Sequence, residues 1–124
     1  MTRGQITHVE IPADDPERAK RFYQAVFGVV IEREDGAHYT LARGVDGTRI
    51  ELEGMSEHRF PGWAERHIGT YKNSEFAVTD IQAFVASVVE HGGRIVTPPV
   101  ARPWGGFGAE VADPDGNVLP ISQP

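Results

Sequence analysis

The amino-acid sequence predicts an α+β chain of two tandem βαβββ modules, whose paired curved mixed sheets surround a cavity with the helices outside. Three observations predict it. A strand, a capped helix and a glycine stop occur twice in the same order. The two copies share one spacing: Asn73, Glu75, Asp80 and Gly93 each stand 65 positions after His8, Glu10, Asp15 and Gly28. Turn-bounded runs with strand character follow each helix. A single offset across strand, cap, helix and stop marks an internal duplication.

The elements follow in chain order. Val9 and Ile11 alternate with His8 and Glu10, so the two pairs point to opposite faces of a first strand. Asp15 is an N-cap with Pro16 at the first helical position. Ala19, Phe22, Tyr23, Val26 and Phe27 form one apolar stripe, and Gly28 ends the helix. Strands are predicted over 29–32, 37–42 and 48–53, with Gly44 to Gly47 as a turn. In the second copy Asp80 is the N-cap, and Ile81, Phe84, Val85, Val88 and Val89 form the stripe. Ile95 and Val96 match Val30 and Ile31, and strands are predicted over 107–112 and 118–122. One domain results: module one to about residue 53, a partly irregular connection over 54–69, and module two from about residue 70. His91 falls at the end of the second module's helix, where a helix C-terminus favours positive charge.

Composition narrows the function. The 124 residues carry a net charge of -6 and no cysteine. The acidic balance argues against nucleic acid, which needs a basic patch, and favours neutral or cationic ligands. Without cysteine there is no disulfide framework, no thiolate metal site and no thiol nucleophile. No run of residues approaches a membrane span or a signal peptide, so no membrane partner is expected and a cytoplasmic location is. The run Gly105-Gly106-Phe107-Gly108 precedes a strand and lacks the GK[ST] of a phosphate loop. No GxSxG elbow is present.

The closing stretch DPDGNVLPISQP contains the feature that matters most for chemistry. Asp113 to Asn117 read as a tight turn, and Val118, Leu119 and Ile121 as a strand. Pro120 sits within that strand, where it cannot donate to a ladder. A proline there predicts that the strand is an edge or breaks early.

A paired βαβββ chain with HVEI, then Asp, then FY and FG in its first half, and with D-I, GG and DPDGN in its second, resembles the vicinal oxygen chelate superfamily. That group includes glyoxalases, extradiol dioxygenases and bleomycin-resistance proteins. The resemblance covers nearly the whole chain and implies the glyoxalase/bleomycin-resistance fold and a homodimer. It also implies four metal positions, one on the first and one on the last strand of each module: His8, Glu51, Asn73 and Pro120. His8 and Glu51 are ligand types. Asn73 stands where the family has a histidine, and Pro120 where it has a glutamate in DPDGN-x-x-E. The proline therefore occupies a carboxylate position and supplies no donor. Three protein ligands are the usual catalytic minimum for zinc, so the set is incomplete, and the expected cofactor is none or a weakly held divalent ion (Zn, Ni, Mn, Fe or Co).

The candidate site follows. His8, Glu51 and Glu75 are the candidate catalytic groups, with His8 and Glu51 also the metal positions. Glu10, Asn73, Trp104 and Phe107 are candidate ligand contacts. Glu10 and Glu75 occupy equivalent positions and are expected on the cavity face, as substitute ligands, as an acid–base pair, or neutralised by Arg3, Arg43, Arg49 or Arg102. Of Glu51 and Glu53, one is expected in the cavity and one solvated at its rim. His58 and His67 lie in the connection, as do Phe60 and Trp63. The first expected function is a binder of a small organic, cationic molecule. The alternatives are a metal-dependent lyase, isomerase or dioxygenase, and an interaction domain with a filled barrel. Modules paired within one chain or swapped between chains fit the sequence equally.

Overall fold

The computed structural model describes residues 3–36, 38–54 and 62–124. Its strands are β1 (Val9–Ala13), β2 (Val30–Asp35), β3 (Tyr39–Arg43), β4 (Arg49–Gly54), β5 (Phe76–Ala77), β6 (Arg94–Ala101), β7 (Phe107–Ala112) and β8 (Val118–Gln123). Its helices are α1 (Pro16–Phe27), α2 (Trp63–His67) and α3 (Ile81–Glu90). The four-stranded sheet A has the order β1-β4-β3-β2, and sheet B has the order β5-β8-β7-β6. The orders correspond position by position, and in each sheet the first strand runs parallel to the last. The duplication read from the spacing is thus a duplication of topology.

Both helices start as their caps dictate. Asp15 accepts from the amides of Glu17 and Arg18, and Asp80 accepts from that of Ala83. Asp15 and Asp80 thereby satisfy amides that have no partner inside the helix. The stops differ. Gly28 ends α1 in the left-handed region at φ 66°. Its repeat partner Gly93 does not take that role, because α3 ends earlier, at His91, and Gly92 carries the positive φ of 95°. Gly93 is glycine for another reason. A Cβ there would lie 2.5 Å from the Ala112 carbonyl and 2.6 Å from Val88 Cγ1. His91 caps α3 as expected, with Nδ1 2.8 Å from the Ser87 carbonyl.

The apolar faces meet in one core. Ile11, Ala42 and Leu52 come from sheet A, and Val111, Leu119 and Ile121 from sheet B. Phe22 and Tyr23 of α1 and Val85 and Val88 of α3 complete it. Phe27 stacks on Tyr23 and reaches across the modules to Phe76 and Phe84. Burial on this scale contributes about 1.5–3 kcal/mol for each large side chain.

The DPDGN turn binds the modules to each other. Asn117 donates to the Pro12 carbonyl and to Asp113 Oδ2, and accepts from the Gly69 amide. Asp115 accepts from Arg18 at 2.6 Å and from the Asp14 amide. Lys72, buried, donates to the His67 carbonyl and to Thr70. Desolvation lowers its pKa.

Pro120 does not behave as the sequence predicted. β8 lies between β5 and β7 and continues to Gln123, so it is neither an edge nor a broken strand. The reason lies in the direction of the backbone. The Val118 amide and carbonyl bond to Thr70 and Lys72, and the Ser122 carbonyl bonds to Val78. Even-numbered residues of β8 therefore turn their backbone groups toward the β5 side, and the Pro120 nitrogen faces that side too. There the partner strand is interrupted. Tyr71 pairs with Val118 and Phe76 with Ile121. Four residues, 72–75, thus stand opposite only two, Leu119 and Pro120. The segment leaves the ladder where no amide could hold it.

Candidate functional site

β1 and β4 run in parallel with Glu10 directly opposite Glu51. Side chains alternate along a strand. Val9, Ile11, Ile50 and Leu52 therefore take the core-facing side, and His8, Glu10, Glu51 and Glu53 the open face of sheet A. His8 Nε2 lies 3.9 Å from Glu10 Oε1 and 3.8 Å from Glu51 Oε1. The three side chains keep 24%, 24% and 16% of their surface exposed. Thr7 Oγ1 and His8 Nδ1 are 3.0 Å apart, a hydrogen bond that leaves Nε2 for the carboxylates. A cleft of about 300 Å³ adjoins the cluster, lined by Ile6, Thr7, His8, Gly47, Thr48 and Arg49.

Glu53 is not solvated at a rim. It is 3% exposed, and burial together with the adjacent Glu51 carboxylate pushes its pKa up to about 8. At neutral pH it is a carboxylic acid that donates to Glu51. Farther along the face, Arg43 and Arg49 both turn to Glu32, each at 2.7 Å. The two guanidinium groups hold the Glu32 carboxyl below its usual range. A second cleft of about 370 Å³ lies beside them, lined by Glu32, Arg33, Leu41 and Arg49.

The remaining candidates lie in module two. Glu75 is 58% exposed and pairs with Arg102 at 3.3 Å, one of the neutralising arginines foreseen from the sequence. Together with Ser74, Phe76, Val9 and Phe27 it lines a cleft of about 370 Å³ at the seam between modules. That cleft takes Val9 and Ile50 from sheet A, and so lies on the face opposite His8 and Glu51. Asn73 is exposed, in the segment that has left the ladder. Trp104 is 77% exposed, with the Arg102 guanidinium 5.4 Å from its ring centre. Phe107 opens β7 and is partly exposed. His67 ends α2 with its ring 5.3 Å from that of Trp63. His58 and Phe60 lie outside the described residues.

Among the described residues, His8, Glu10 and Glu51 form a group of metal-ligand types, with one donor atom from each within 4.8 Å of the others. Sequence reasoning placed His8 and Glu51 together by resemblance and Glu10 on the same face by alternation. It named Glu10 and Glu75 alike as substitute ligands, and only the direct register of Glu10 on Glu51, a tertiary fact, brings Glu10 rather than Glu75 to His8 and Glu51. The set has the donor types of a divalent-ion site, with its donor atoms within 4.8 Å of one another. Bonds of about 2.0–2.2 Å to one ion put neighbouring donors about 3.0–3.5 Å apart. The distances from His8 need to shorten by only about half an ångström. An ion bound there would polarise a substrate oxygen as a Lewis acid, with His8, Glu10 and Glu51 holding it.

Comparison with known proteins agrees with this architecture. CFP32 of Mycobacterium tuberculosis and of Mycobacterium bovis, whose name assigns it provisionally to the glyoxylases, is 30% identical over 124 residues. The match covers 98% of this chain and 44% of the relative, so the chain spans less than half the length of these curated relatives. A superfamily member from Sphaerobacter thermophilus superposes with a TM-score of 0.79 at 22% identity, covering 98% of each chain. TioX from Micromonospora superposes at 0.75 with 22% identity, over 97% of this chain and 98% of its own. A lactoylglutathione lyase from Agrobacterium tumefaciens superposes at 0.73 with 16% identity, over 98% and 95%. At these identities the structures speak to fold alone. Residues 5–121 match the family description itself, and with that match the chain belongs to the Glyoxalase/Bleomycin resistance protein/Dioxygenase superfamily.

Proposed function

We propose that the chain binds a small organic molecule on the open face of sheet A, around His8, Glu10 and Glu51. The observation that carries this reading is the cluster itself: an imidazole and two carboxylates, partly exposed, gathered within 4.8 Å beside a cleft. Carboxylates placed opposite each other in register repel, and a cationic centre beside them would be attracted to both. The net charge of -6 attracts the same kind of ligand at longer range. A basic organic molecule, its amine toward Glu10 and Glu51 and its body in the cleft, suits this face best.

Calorimetric titration with a panel of small basic, neutral and acidic organic molecules, in the presence of a chelator, tests the proposal. Basic members are expected to bind. Glu51→Gln is expected to weaken them about tenfold, with the apo thermal midpoint little changed. Binding indifferent to charge class, or unchanged in Glu51→Gln, would overturn it.

A second reading has its own observation. The donor spacing at His8, Glu10 and Glu51 supports a divalent-metal lyase, isomerase or dioxygenase, in which these residues hold the ion and the substrate oxygens complete its shell.

A further inference from the structure

We infer that the seam cleft between the modules is a second binding site, for an uncharged, largely apolar small molecule that ends in a hydrogen-bond donor. The cleft measures about 370 Å³, within the range of pockets that hold small organic ligands. It takes Val9 and Ile50 from the core-facing side of sheet A, so it is separate from the open face around His8. The inference goes beyond the reading of that face and does not depend on it.

Its walls are largely apolar and already in place. Val9 and Ile50 form one side, Tyr23 and Phe27 of α1 a second, and Phe76 of β5 a third; all five are buried or half-buried. The Phe27 ring is fixed by those of Tyr23 and Phe76, with ring centres 5.4 and 5.2 Å away. The turn between β3 and β4 closes another side. There the Gly44 amide bonds to the Thr48 carbonyl, the Gly47 amide bonds to the Gly44 carbonyl, and Asp46 accepts from the amide and the hydroxyl of Thr48. A pocket whose walls are set before binding loses little free energy in ordering them. The last wall comes from the segment that leaves β8 opposite Pro120, which brings Ser74 and Glu75 to the cleft. The interrupted ladder thus supplies part of the site.

The polar groups select the ligand. Asp46, Thr48 and Glu75 are exposed and Ser74 is half-buried, so they mark the mouth, and the apolar side chains lie deeper. Among the described residues, no lysine, arginine or histidine lines the cleft, whereas two carboxylates do, so an anion is repelled. The bonds from Thr48 hold the Asp46 carboxyl below its usual range, which keeps it an acceptor. Each of its oxygens takes one bond from Thr48 and keeps a lone pair for a second donor. Glu75 is already answered by Arg102. A cation would meet no carboxylate between the apolar walls, where an unpaired charge is costly to bury. What fits is an uncharged body against Phe27 and Phe76, with one hydroxyl or N–H toward Asp46.

Titration of the full chain with β-naphthol, and with naphthalene and β-naphthoate as its donor-free and anionic counterparts, tests the inference by NMR mapping of amide shifts at neutral pH. The expected result is saturable shifts at residues 44–48 and 74–77 with β-naphthol, and binding about fivefold weaker or more for each counterpart. Ala77→Phe projects a ring into the cleft from an exposed position. It is expected to weaken β-naphthol about tenfold or more. Should its thermal midpoint show that it folds poorly, Ser74→Phe narrows the same cleft from outside the ladder and is expected to cause the same loss. Asp46→Asn, which removes the charge, is expected to narrow the preference for β-naphthol over β-naphthoate. An absence of shifts at the seam, shifts confined to His8, Glu10 and Glu51, either counterpart bound as tightly as β-naphthol, or binding unchanged in both phenylalanine variants would overturn the inference. The open face is read separately, by its own panel of basic molecules and by Glu51→Gln.

Discussion

Tyr23 Oη donates a 2.7 Å hydrogen bond to Asp113 Oδ2, and both groups are buried at the junction of the two modules. The residues belong to different copies of the repeat. Burial raises the Asp113 pKa, and the bonds from Asn117 and Tyr23 oppose that shift. Burial beside the same carboxylate raises the Tyr23 pKa well above its usual value. The phenol thus remains a donor at any pH the fold survives. A buried hydrogen bond to a charged acceptor contributes about 1.5–3 kcal/mol. Tyr23→Phe keeps the ring in its pocket and removes only the donor, so it should cost about 2 kcal/mol in urea denaturation. A loss under about 0.5 kcal/mol would show that the DPDGN turn does not bind the modules through this contact.

Gly93 presents the same logic in terms of space. Gly93→Ala puts a methyl group against the Ala112 carbonyl and Val88 Cγ1, both within 2.6 Å of the new carbon. Neither the β7 backbone nor the core valine can retreat freely. Overpacking of this kind costs about 1–3 kcal/mol. The expected outcome is a lower thermal midpoint for Gly93→Ala than for Ala substituted at exposed Gly4, where no atom lies within 4 Å.

What the sequence disclosed and what it withheld follow from the range of the interactions. Caps, stripes and turns are local, so Asp15, Asp80 and Gly28 could be read directly. Strand alternation is local too, and it put His8, Glu10 and Glu51 on one face. Register is not local. That Glu10 stands opposite Glu51, or that residues 72–75 leave β8, depends on a partner strand some 40 residues away in the chain. Glu10 and Glu75 are equivalent in the repeat, yet Glu10 meets Glu51 and His8 whereas Glu75 pairs with Arg102. The DPDGN motif was legible as a turn, but its clasp on α1 and β1 spans about a hundred residues. The seam cleft also could not be read, because it arises from how the modules pack.

Pro120 allows a direct test of the interrupted ladder. Pro120→Ala restores an amide that faces a segment with two surplus residues, and no backbone acceptor is in register there. The new amide should therefore exchange with solvent much faster than those of Leu119 and Ile121, whose groups face β7. Stability should change by less than about 1 kcal/mol, mostly through the freer unfolded chain. A strongly protected amide at 120, with a clear gain in stability, would mean that β5 zips onto β8 once the proline is gone. The proline would then be the cause of the interruption rather than fitted to it.

Glu53 makes stability depend on pH in a direction that can be worked out. Its carboxyl ionises at about 8 in the fold, against an ordinary value of 4.5, because burial disfavours the charge and Glu51 lies beside it. Below pH 4.5 folded and unfolded chains both keep the proton, and the shift has no effect on stability. As pH rises from 4.5 to 8 the unfolded chain releases the proton while the folded chain retains it, so unfolding becomes more favourable. Above 8 the loss is complete. Glu53→Gln keeps an uncharged, hydrogen-bonding side chain at every pH and abolishes this term. Urea midpoints in chelator at pH 5 and pH 9 are the measurement. The parent is expected to lose more stability over this interval than Glu53→Gln, by roughly 4 kcal/mol for a carboxyl shifted from 4.5 to about 8. The contribution of Asp113 has the same sign but is common to both proteins and cancels in the difference. Equal losses in parent and variant would mean that Glu53 ionises normally. Glu51 would then have no acid beside it to donate a proton, and the open face of sheet A would carry one more negative charge at neutral pH than the geometry assigns to it.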